Sequence, residues 1–301
     1  MRGMRAAVFL VLLGAAAAHA QDLEPRLYTN LPRGLNFLVA GYGYSDGNVL
    51  FDPSVPLENG NVRIQGPVFG YARSLDLWGM SGKFDAVLPY GCASGSAEYL
   101  GEFRERDICG AGDPRFRISA NLYGAPSLTL EEFPRYRQDL IVGASLQISA
   151  PLGQYDGEKL LNIGTNRWFF KPEIGIGKAL GPVTLELNAA AFFYTRNSDF
   201  LGGHKKEQEP LYSFQGHIVY AFRSGIWFAV DGTYYRGGRT SVDGVKGDDL
   251  QENSRLGATL AVPLNRYHSV KLHGSSGVSA RTGTDYDTIA LIWQYRWGAG
   301  F

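Results

Sequence analysis

Polar and apolar side chains alternate along residues 113–122 of this sequence. One set of alternate positions carries groups that could bind or conduct a charged solute: Asp113, Arg115, Arg117, Ser119 and Asn121. The positions between them are apolar: Phe116, Ile118, Ala120 and Leu122. Because successive side chains of a β-strand point to opposite faces, the pattern predicts a strand with one charged and one apolar face.

The same alternation recurs in later segments and adds charged and polar groups to the polar faces. By parity this set continues with Gln147, Lys171, Glu173, Glu186, Gln215, His217, Asp231, Arg255, Lys271, His273 and Arg296. When Asp85 is included, carboxylates and cations on these faces nearly balance in number. The balance favours a paired network over a one-sided ion filter, and we interpret the set as the lining of a solute path.

Histidines are the candidates for catalysis in the mature chain: His204, His217, His268 and His273. His204 follows the pattern of a solvated loop and His268 lies beside a short turn. His217 and His273 share the polar parity but lie on strands that are not neighbours. No Gly-x-Ser-x-Gly elbow is present, and no spacing fixes a nucleophile beside either histidine. We therefore expect no catalytic residues and no enzyme activity.

The cysteine count is two, Cys92 and Cys109. In an exported protein, two cysteines this close in sequence predict a single loop disulfide. Metal binding is not favoured, because Glu105 and Asp107 lie nearby without a histidine. Three aspartates between positions 243 and 249 lack the spacing of a defined calcium loop. We expect no metal and no cofactor.

The first twenty residues are typical of a cleaved secretory signal. Arg2 and Arg5 precede an apolar run that is too short to span a bilayer, and Ala18-His19-Ala20 is a small-x-small cleavage site. An uncleaved anchor is the alternative. No later segment approaches the apolar length of a transmembrane helix. The charges, 29 Lys and Arg against 29 Asp and Glu, do not suggest a nucleic-acid partner.

The mature chain, 21–301, is predicted to be one all-β domain: a transmembrane antiparallel up-and-down β-barrel of about 12 strands. Short periplasmic turns are predicted to alternate with long extracellular loops, so that all long loops lie at one end. A soluble β-sandwich does not require this separation of long and short loops. The segment 124–137 is longer than this scheme requires and predicts a brief helical turn. Strands are expected near 35–44, 62–73, 83–90, 113–123, 138–150, 166–178, 182–194, 211–223, 225–235, 253–263, 268–280 and 286–297. The lipid and lumen faces of the first two strands stay open.

Aromatic residues cluster at the ends of the apolar faces, as membrane-interface girdles do. The set comprises Trp168 and Phe170 at one rim and Tyr220, Phe222, Trp293, Tyr295 and Trp297 at the other. Apolar residues also occupy every odd position from Ile289 to the terminal Phe301. This run resembles the C-terminal signature that the barrel-assembly machinery is thought to recognise. The sequence therefore predicts the bacterial outer membrane as the location, with its lipid as a partner.

Five segments, in order along nearly the whole mature chain, are similar to one family of outer-membrane proteins. They are residues 31–54, 110–126, 149–175, 241–263 and 295–298. The family is labelled "putative MetA-pathway of phenol degradation", and its members are often called transporters. The resemblance implies an outer-membrane barrel that moves aromatic or other hydrophobic compounds, and it transfers no catalytic residues. The cysteine pair is not part of the resemblance.

We expect the protein to provide passive passage for a small solute, with aromatic or hydrophobic compounds as candidates, through a narrow charge-lined lumen. Twelve strands lie between the eight whose interior is filled and the sixteen to eighteen of general porins, which predicts a narrow or plugged passage. The alternatives are a closed structural or surface-binding barrel and, less favoured, an outer-membrane hydrolase. The solute, its direction and the oligomeric state do not follow from the sequence.

Overall fold

A computed structural model describes four stretches of the chain: residues 23–48, 57–99, 102–281 and 285–300. The predicted signal peptide, 1–20, and the predicted assembly signal at Phe301 lie outside these stretches. Within them the chain forms seventeen strands: β1 (Leu35–Asn48), β2 (Leu57–Leu77), β3 (Met80–Tyr99), β4 (Glu102–Ala111), β5 (Arg115–Tyr123), β6 (Leu140–Ser149), β7 (Phe169–Leu180), β8 (Val183–Tyr194), β9 (Asn197–Phe200), β10 (His204–Gln208), β11 (Leu211–Ala221), β12 (Trp227–Gly237), β13 (Thr240–Val242), β14 (Val245–Lys246), β15 (Gln251–Pro263), β16 (His268–Ala280) and β17 (Asp285–Gly298).

Twelve of these strands close into an antiparallel barrel. The hydrogen-bonded order is β1, β2, β3, β5, β6, β7, β8, β11, β12, β15, β16 and β17, and β17 pairs with β1. Closure leaves no sheet edge in the ring, which a bilayer requires because hydrocarbon cannot satisfy backbone polar groups. The predicted all-β class and the count of twelve strands are confirmed.

Side chains of the barrel strands alternate between an exposed apolar outer face and a buried inner face. On β11, for example, Phe214 and Ile218 are exposed, whereas Gln215 and His217 are buried. The exposed apolar side chains form the surface that a bilayer would cover. The outer face thus contacts lipid and the inner face encloses the polar set.

The first two strands depart from simple alternation because part of their inner face is apolar. Leu35, Phe37 and Val39 of β1 point inward and are at most 2% exposed. They pack with Leu31, which lies in the chain segment before β1 and inside the barrel. An apolar partner within the lumen explains why the sequence pattern left both faces of β1 unassigned.

We call the end of the barrel with the long loops the outer end, and the end with the short turns the inner end. The outer end contains structure that the sequence did not predict. Strand β4 pairs with the outer half of β3, whereas β5 pairs with its inner half. We expected this segment to be a loop. A disulfide joins Cys92 of β3 to Cys109 of β4, directly opposite each other in the register. Strands β9, β10, β13 and β14 form a separate four-stranded sheet from the long loops.

Strands β2 and β3 are much longer than a membrane crossing requires. They contain 21 and 20 residues, whereas a tilted transmembrane strand needs about 9–11. At about 3.3 Å per residue, each strand is roughly 65 Å long. Because their inner ends meet in a tight turn at Trp78 and Gly79, the excess length extends outward with β4.

The inner end has short turns, with one exception. The β5–β6 connection forms a 3-10 turn at Phe133–Arg135, where we expected a brief helical turn. Among the described residues, no helix is long and apolar enough to cross a membrane. The connection also packs upward: Ala125 joins Leu27, Tyr28 and Ile141 in a buried cluster.

Candidate functional site: the interior of the barrel

The chain segment before β1, residues 23–34, lies inside the barrel, and we call it the plug. Most of its side chains are buried: Leu23, Leu27 and Tyr28 are each at most 7% exposed. The plug itself forms no β-strand and is not part of the sheet that makes the barrel wall. Glu24 and Asn30 are also buried. This segment has no periodicity in the sequence and is too short to form an element of its own, so its place inside the barrel was not predicted.

An ion-pair cluster fixes the outer part of the plug. Arg117 of β5 donates from Nε to both carboxylate oxygens of Asp85 at 3.1 Å and from Nη2 to Oδ1 at 2.7 Å. Its Nη1 donates to Glu24 of the plug. All three side chains are at most 6% exposed. One inward arginine thus connects the barrel wall to the plug.

A second contact fixes the plug through an aromatic ring. The Tyr28 hydroxyl lies 3.2 Å from both Ser145 Oγ and a carboxylate oxygen of Glu173. Glu173 also forms an ion pair with Lys171, with an N–O distance of 3.0 Å. The ring lies so close to Gly143 that a Cβ atom there would clash with it. The inward face of the barrel is therefore shaped for this side chain.

The middle of the plug is held through its backbone and by a stacked arginine. The Arg26 N–H donates to Glu186 at 2.6 Å, and its guanidinium lies over the Trp227 ring at 5.2 Å. Lys83 Nζ donates to the Leu27 carbonyl at 3.4 Å. Arg26 has a φ of 67°, a left-handed conformation that a non-glycine residue adopts only when its surroundings compensate for it.

The inner end of the plug is tied to the β5–β6 connection. Asn30 Nδ2 donates to the Pro126 carbonyl at 3.2 Å, and the Arg33 N–H donates to the Leu128 carbonyl at 2.8 Å. This explains why the connection is longer than the other inner turns. The connection thus supports the plug at the inner end of the barrel.

The β6–β7 loop, residues 150–168, folds into the outer mouth. Leu161 packs against the inward side chains of Val62 and Ile64. Asp113, which the sequence placed on the polar face of a strand, lies instead in the break between β4 and β5. Its carboxylate accepts hydrogen bonds from the backbone N–H groups of Gly153 and Thr165, each with an N–O distance of 2.8 Å. Asp113 therefore positions this loop.

The two inward histidines are not brought together. His217 Nδ1 lies 2.7 Å from Asp231 Oδ1, with both side chains fully buried, and its Nε2 lies 3.4 Å from the amide of Asn188. His273 lies 3.0 Å from Thr259 Oγ1. A histidine and the carboxylate that orients it are two of the three members of a catalytic triad, but here the Asn188 amide occupies the position of the nucleophile.

Most of the polar set predicted from the sequence lies buried inside the barrel, but its role as a solute path stays a prediction. The half-buried exceptions are Asp113, Arg115 and His273. The buried members are Arg117, Ser119, Asn121, Gln147, Lys171, Glu173, Glu186, Gln215, His217, Asp231, Arg255, Lys271 and Arg296. Sequence parity thus located the inner face and missed the plug that contacts it.

The aromatic residues expected at the membrane interfaces lie on the outer surface of the barrel. Trp168 lies just before β7, and Trp168 and Phe170 stack with ring centroids 6.5 Å apart. At the opposite end, Tyr220, Phe222, Trp293 and Trp297 are 36–49% exposed, and Tyr295 stacks on Trp297 at 5.4 Å. This arrangement matches two girdles about an apolar band.

Comparisons with known proteins agree with this architecture. The family model described as "Putative MetA-pathway of phenol degradation" matches residues 42–292. The fold is similar to the COG4313 outer membrane channel from Pseudomonas putida F1, with a TM-score of 0.77 and 20% identity over 91% of this chain and 100% of that chain. It is also similar to the β domain of the Bordetella autotransporter BrkA, with a TM-score of 0.51 and 12% identity over 88% and 100% of the two chains. No curated protein sequence matches.

Proposed function

We propose, because this chain belongs to the family described as putative MetA-pathway of phenol degradation, that it lets small solutes cross the outer membrane passively. The family is one of channel-like outer-membrane barrels. Aromatic or hydrophobic compounds are the proposed solutes, and the charge-lined lumen is the proposed path. The observation that supports this proposal most directly is the plug, because its bonds to inward charges would hold it in the lumen at rest and its movement would open the path.

The contacts of the plug are suited to reversible release. It is held by an ion pair at Glu24, by hydrogen bonds at Tyr28 and Arg26, and by apolar packing, without a β-ladder to the wall. A segment that precedes β1 and belongs to no strand of the barrel can leave the lumen without disturbing the closed ring of strands. Solute arriving from the outer loops would meet a cavity lined by Asp85, Val87 and Arg115 beside Glu24.

The test is single-channel conductance of the refolded protein in a planar bilayer, compared with a variant lacking residues 23–33. We expect small, intermittent steps from the wild type and a larger, steady conductance from the deletion variant. Glu24→Gln should raise the open fraction by weakening the contact with Arg117. Glu105→Gln, which changes an exposed carboxylate on β4 outside the twelve-stranded ring, is the matched control and should leave conductance unchanged.

Uptake of the solute is tested by swelling of liposomes that contain the protein, with phenol and glucose as test solutes. Faster entry of phenol than of glucose through the deletion variant supports the proposed solute class. A deletion variant that is folded, as shown by heat-dependent gel mobility, and yet silent in both assays would contradict the channel function.

The second candidate function is binding at the outer surface by a closed barrel. It is favoured by the structured outer end, where the β2–β3–β4 extension and the four-stranded sheet project beyond the barrel. A silent deletion variant would transfer support to this function.

A further inference from the structure

The guanidinium of Arg255 is buried inside the barrel with almost no partners. The residue is 2% exposed, and its Nη2 donates to Ser275 Oγ at 3.0 Å. In the part of the chain that the structure describes, its Nε and Nη1 have no hydrogen-bond partner, and no carboxylate forms an ion pair with it. An arginine carries five N–H donors and a permanent charge, so burial in this state is unfavourable unless an anion arrives.

The wall around Arg255 is basic. Three neighbouring strands form this wall: β15 from residue 255, β16 up to residue 275 and β17 from residue 288. Their inward positions carry no carboxylate, and the basic side chains there are Arg255, Lys271, His273 and Arg296. Among the inward carboxylates of other strands, Asp85 pairs with Arg117 and Glu173 with Lys171, and Asp231 of adjacent β12 lies 2.7 Å from His217 through its Oδ1. Asp285, at the outer start of β17, is exposed. Because no carboxylate of the described residues forms an ion pair with Arg255, its buried charge favours an anion at this wall.

An aromatic and apolar surface adjoins the charge. The Tyr286 ring lies 3.9 Å from the guanidinium carbon of Arg255, measured to the ring centroid. The same tyrosine packs with the buried cluster of Val62, Ile64 and Leu161 at the outer mouth. Stacking covers one face of the guanidinium and leaves its N–H edges directed at an anion. A ligand with a carboxylate and a ring would match both surfaces.

The position relative to the plug places this surface in the path of an incoming solute. Leu23, at the outer end of the described plug, packs directly against Gly257, two residues further along β15. Arg255 lies outward of that contact, below the loop that carries Leu161. The surface therefore lies between the plug and the outer cover.

We propose that Arg255, Ser275 and Tyr286 form a subsite for a small aromatic carboxylate. The carboxylate accepts from the free N–H groups of Arg255 and the ring lies against Tyr286 and its apolar neighbours. This inference rests on the proposed function, because it names the class of solute that pauses on the outer side of the plug.

The experiment is isothermal titration of the full refolded protein with benzoate. Arg255→Gln should weaken benzoate binding by about tenfold or more, because a hydrogen bond to a charged group is lost in a buried site. Arg255→Lys should bind with intermediate affinity, since it keeps the charge but not the fork of donors. Arg236→Gln, an exposed arginine on neighbouring β12, is the matched control and should bind as the wild type does.

Ligand analogues separate the two halves of the subsite. Acetate should bind more weakly than benzoate and should not respond to Tyr286→Leu, whereas benzoate should. Benzyl alcohol, which has the ring without the charge, should be insensitive to Arg255→Gln. Inorganic phosphate binding as tightly as benzoate would overturn the aromatic part of the proposal and leave a general anion site.

The chain's own carboxylate at Asp22 provides the sharpest contrary outcome. This residue precedes Leu23 in the sequence and lies outside the described residues. If the wild type fails to bind benzoate and Asp22→Asn binds it, then the chain itself fills the subsite and the proposal is wrong.

Stability gives a readout that separates a binding role from a structural one. Without ligand, Arg255→Met should melt at the same or a higher temperature than the wild type, because a buried unpaired charge is removed. Benzoate should raise the melting temperature of the wild type only. A lower melting temperature for Arg255→Met would assign Arg255 to structure and overturn the subsite.

Failure of the subsite and failure of the proposed function give different results. Benzoate binding without conductance would support the subsite and refute passage of solutes. Conductance that is insensitive to benzoate in all variants would support passage and refute the subsite.

Discussion

Arg117 is the inward residue on which the plug and the wall most depend. It binds Asp85 with three N–O contacts and also pairs with Glu24. Arg117→Gln removes the guanidinium that forms ion pairs with two buried carboxylates. Breaking a buried pair from one side costs about 3–5 kcal/mol, so we expect a large drop in the free energy of unfolding. Urea titration in lipid vesicles measures it.

The charge explanation for Arg117 is tested by removing the carboxylates as well. The triple change Arg117→Gln, Asp85→Asn and Glu24→Gln replaces the charged cluster with neutral groups that still hydrogen-bond. It should recover a large part of the loss. A triple variant as unstable as Arg117→Gln would show that packing of the arginine, and not its charge, is what matters.

Gly143 is a second residue at which a single atom matters. A methyl group there would overlap the Tyr28 ring, so Gly143→Ala should displace the plug and raise the open fraction in single-channel recordings. Gly43→Ala is the control, because the nearest atom to its new methyl group would be 4.0 Å away. Equal behaviour of the two variants would mean that Tyr28 does not occupy this position.

At the scale of the element, the disulfide stabilises the β3–β4 extension rather than the barrel. Cys92 and Cys109 are separated by 17 positions, and closing a loop of this size contributes about 3 kcal/mol in the chain-entropy account. Replacing both with serine should make the extension sensitive to added protease. Heat-dependent gel mobility should still show a folded barrel, because the twelve-stranded ring does not include β4. Loss of the barrel itself would refute this separation.

The four-stranded outer sheet is expected to respond to acid through Asp243. The backbone N–H of Lys205 and the side chain of His204 hydrogen-bond to Asp243 and lower the pKa of its carboxyl. A lowered pKa means that the contribution to stability is present above the ordinary value of about 3.9 and is lost as the pH falls through the folded value. The protection factors of amides in β10 and β13, in which the intrinsic exchange rate at each pH is divided out, should therefore be retained at pH 5 and should fall below about pH 4.

Asp243→Asn is the control for this acid response. The amide oxygen can still accept from Lys205, but it does not titrate in this range. The variant should exchange at a rate that depends on pH only through the intrinsic chemistry. If the variant opens in acid as the wild type does, another group controls the sheet.

At the scale of the whole molecule, the sequence predicted the barrel wall better than its contents. Alternation on β6, β8 and β11 located the inward face because lipid and lumen impose opposite chemistries on successive residues. The faces of β1 stayed unassigned, because Leu31 of the plug makes part of its lumen side apolar. The plug itself has no repeating pattern. Its position depends on single contacts such as Glu24 with Arg117, which no periodicity encodes.

The plugged state of the whole molecule makes a further prediction, on accessibility. Ser145 points inward beneath Tyr28, and the chain's two cysteines are joined in a disulfide, so Ser145→Cys introduces a single free thiol. A bulky water-soluble maleimide should label it slowly in the full chain and quickly when residues 23–33 are deleted. Ser224→Cys, in an exposed turn, should label quickly in both backgrounds. The ratio of the two rates measures how often the plug leaves the lumen. If Ser145→Cys labels as fast as Ser224→Cys in the full chain, the lumen is open at rest and gating by the plug is refuted.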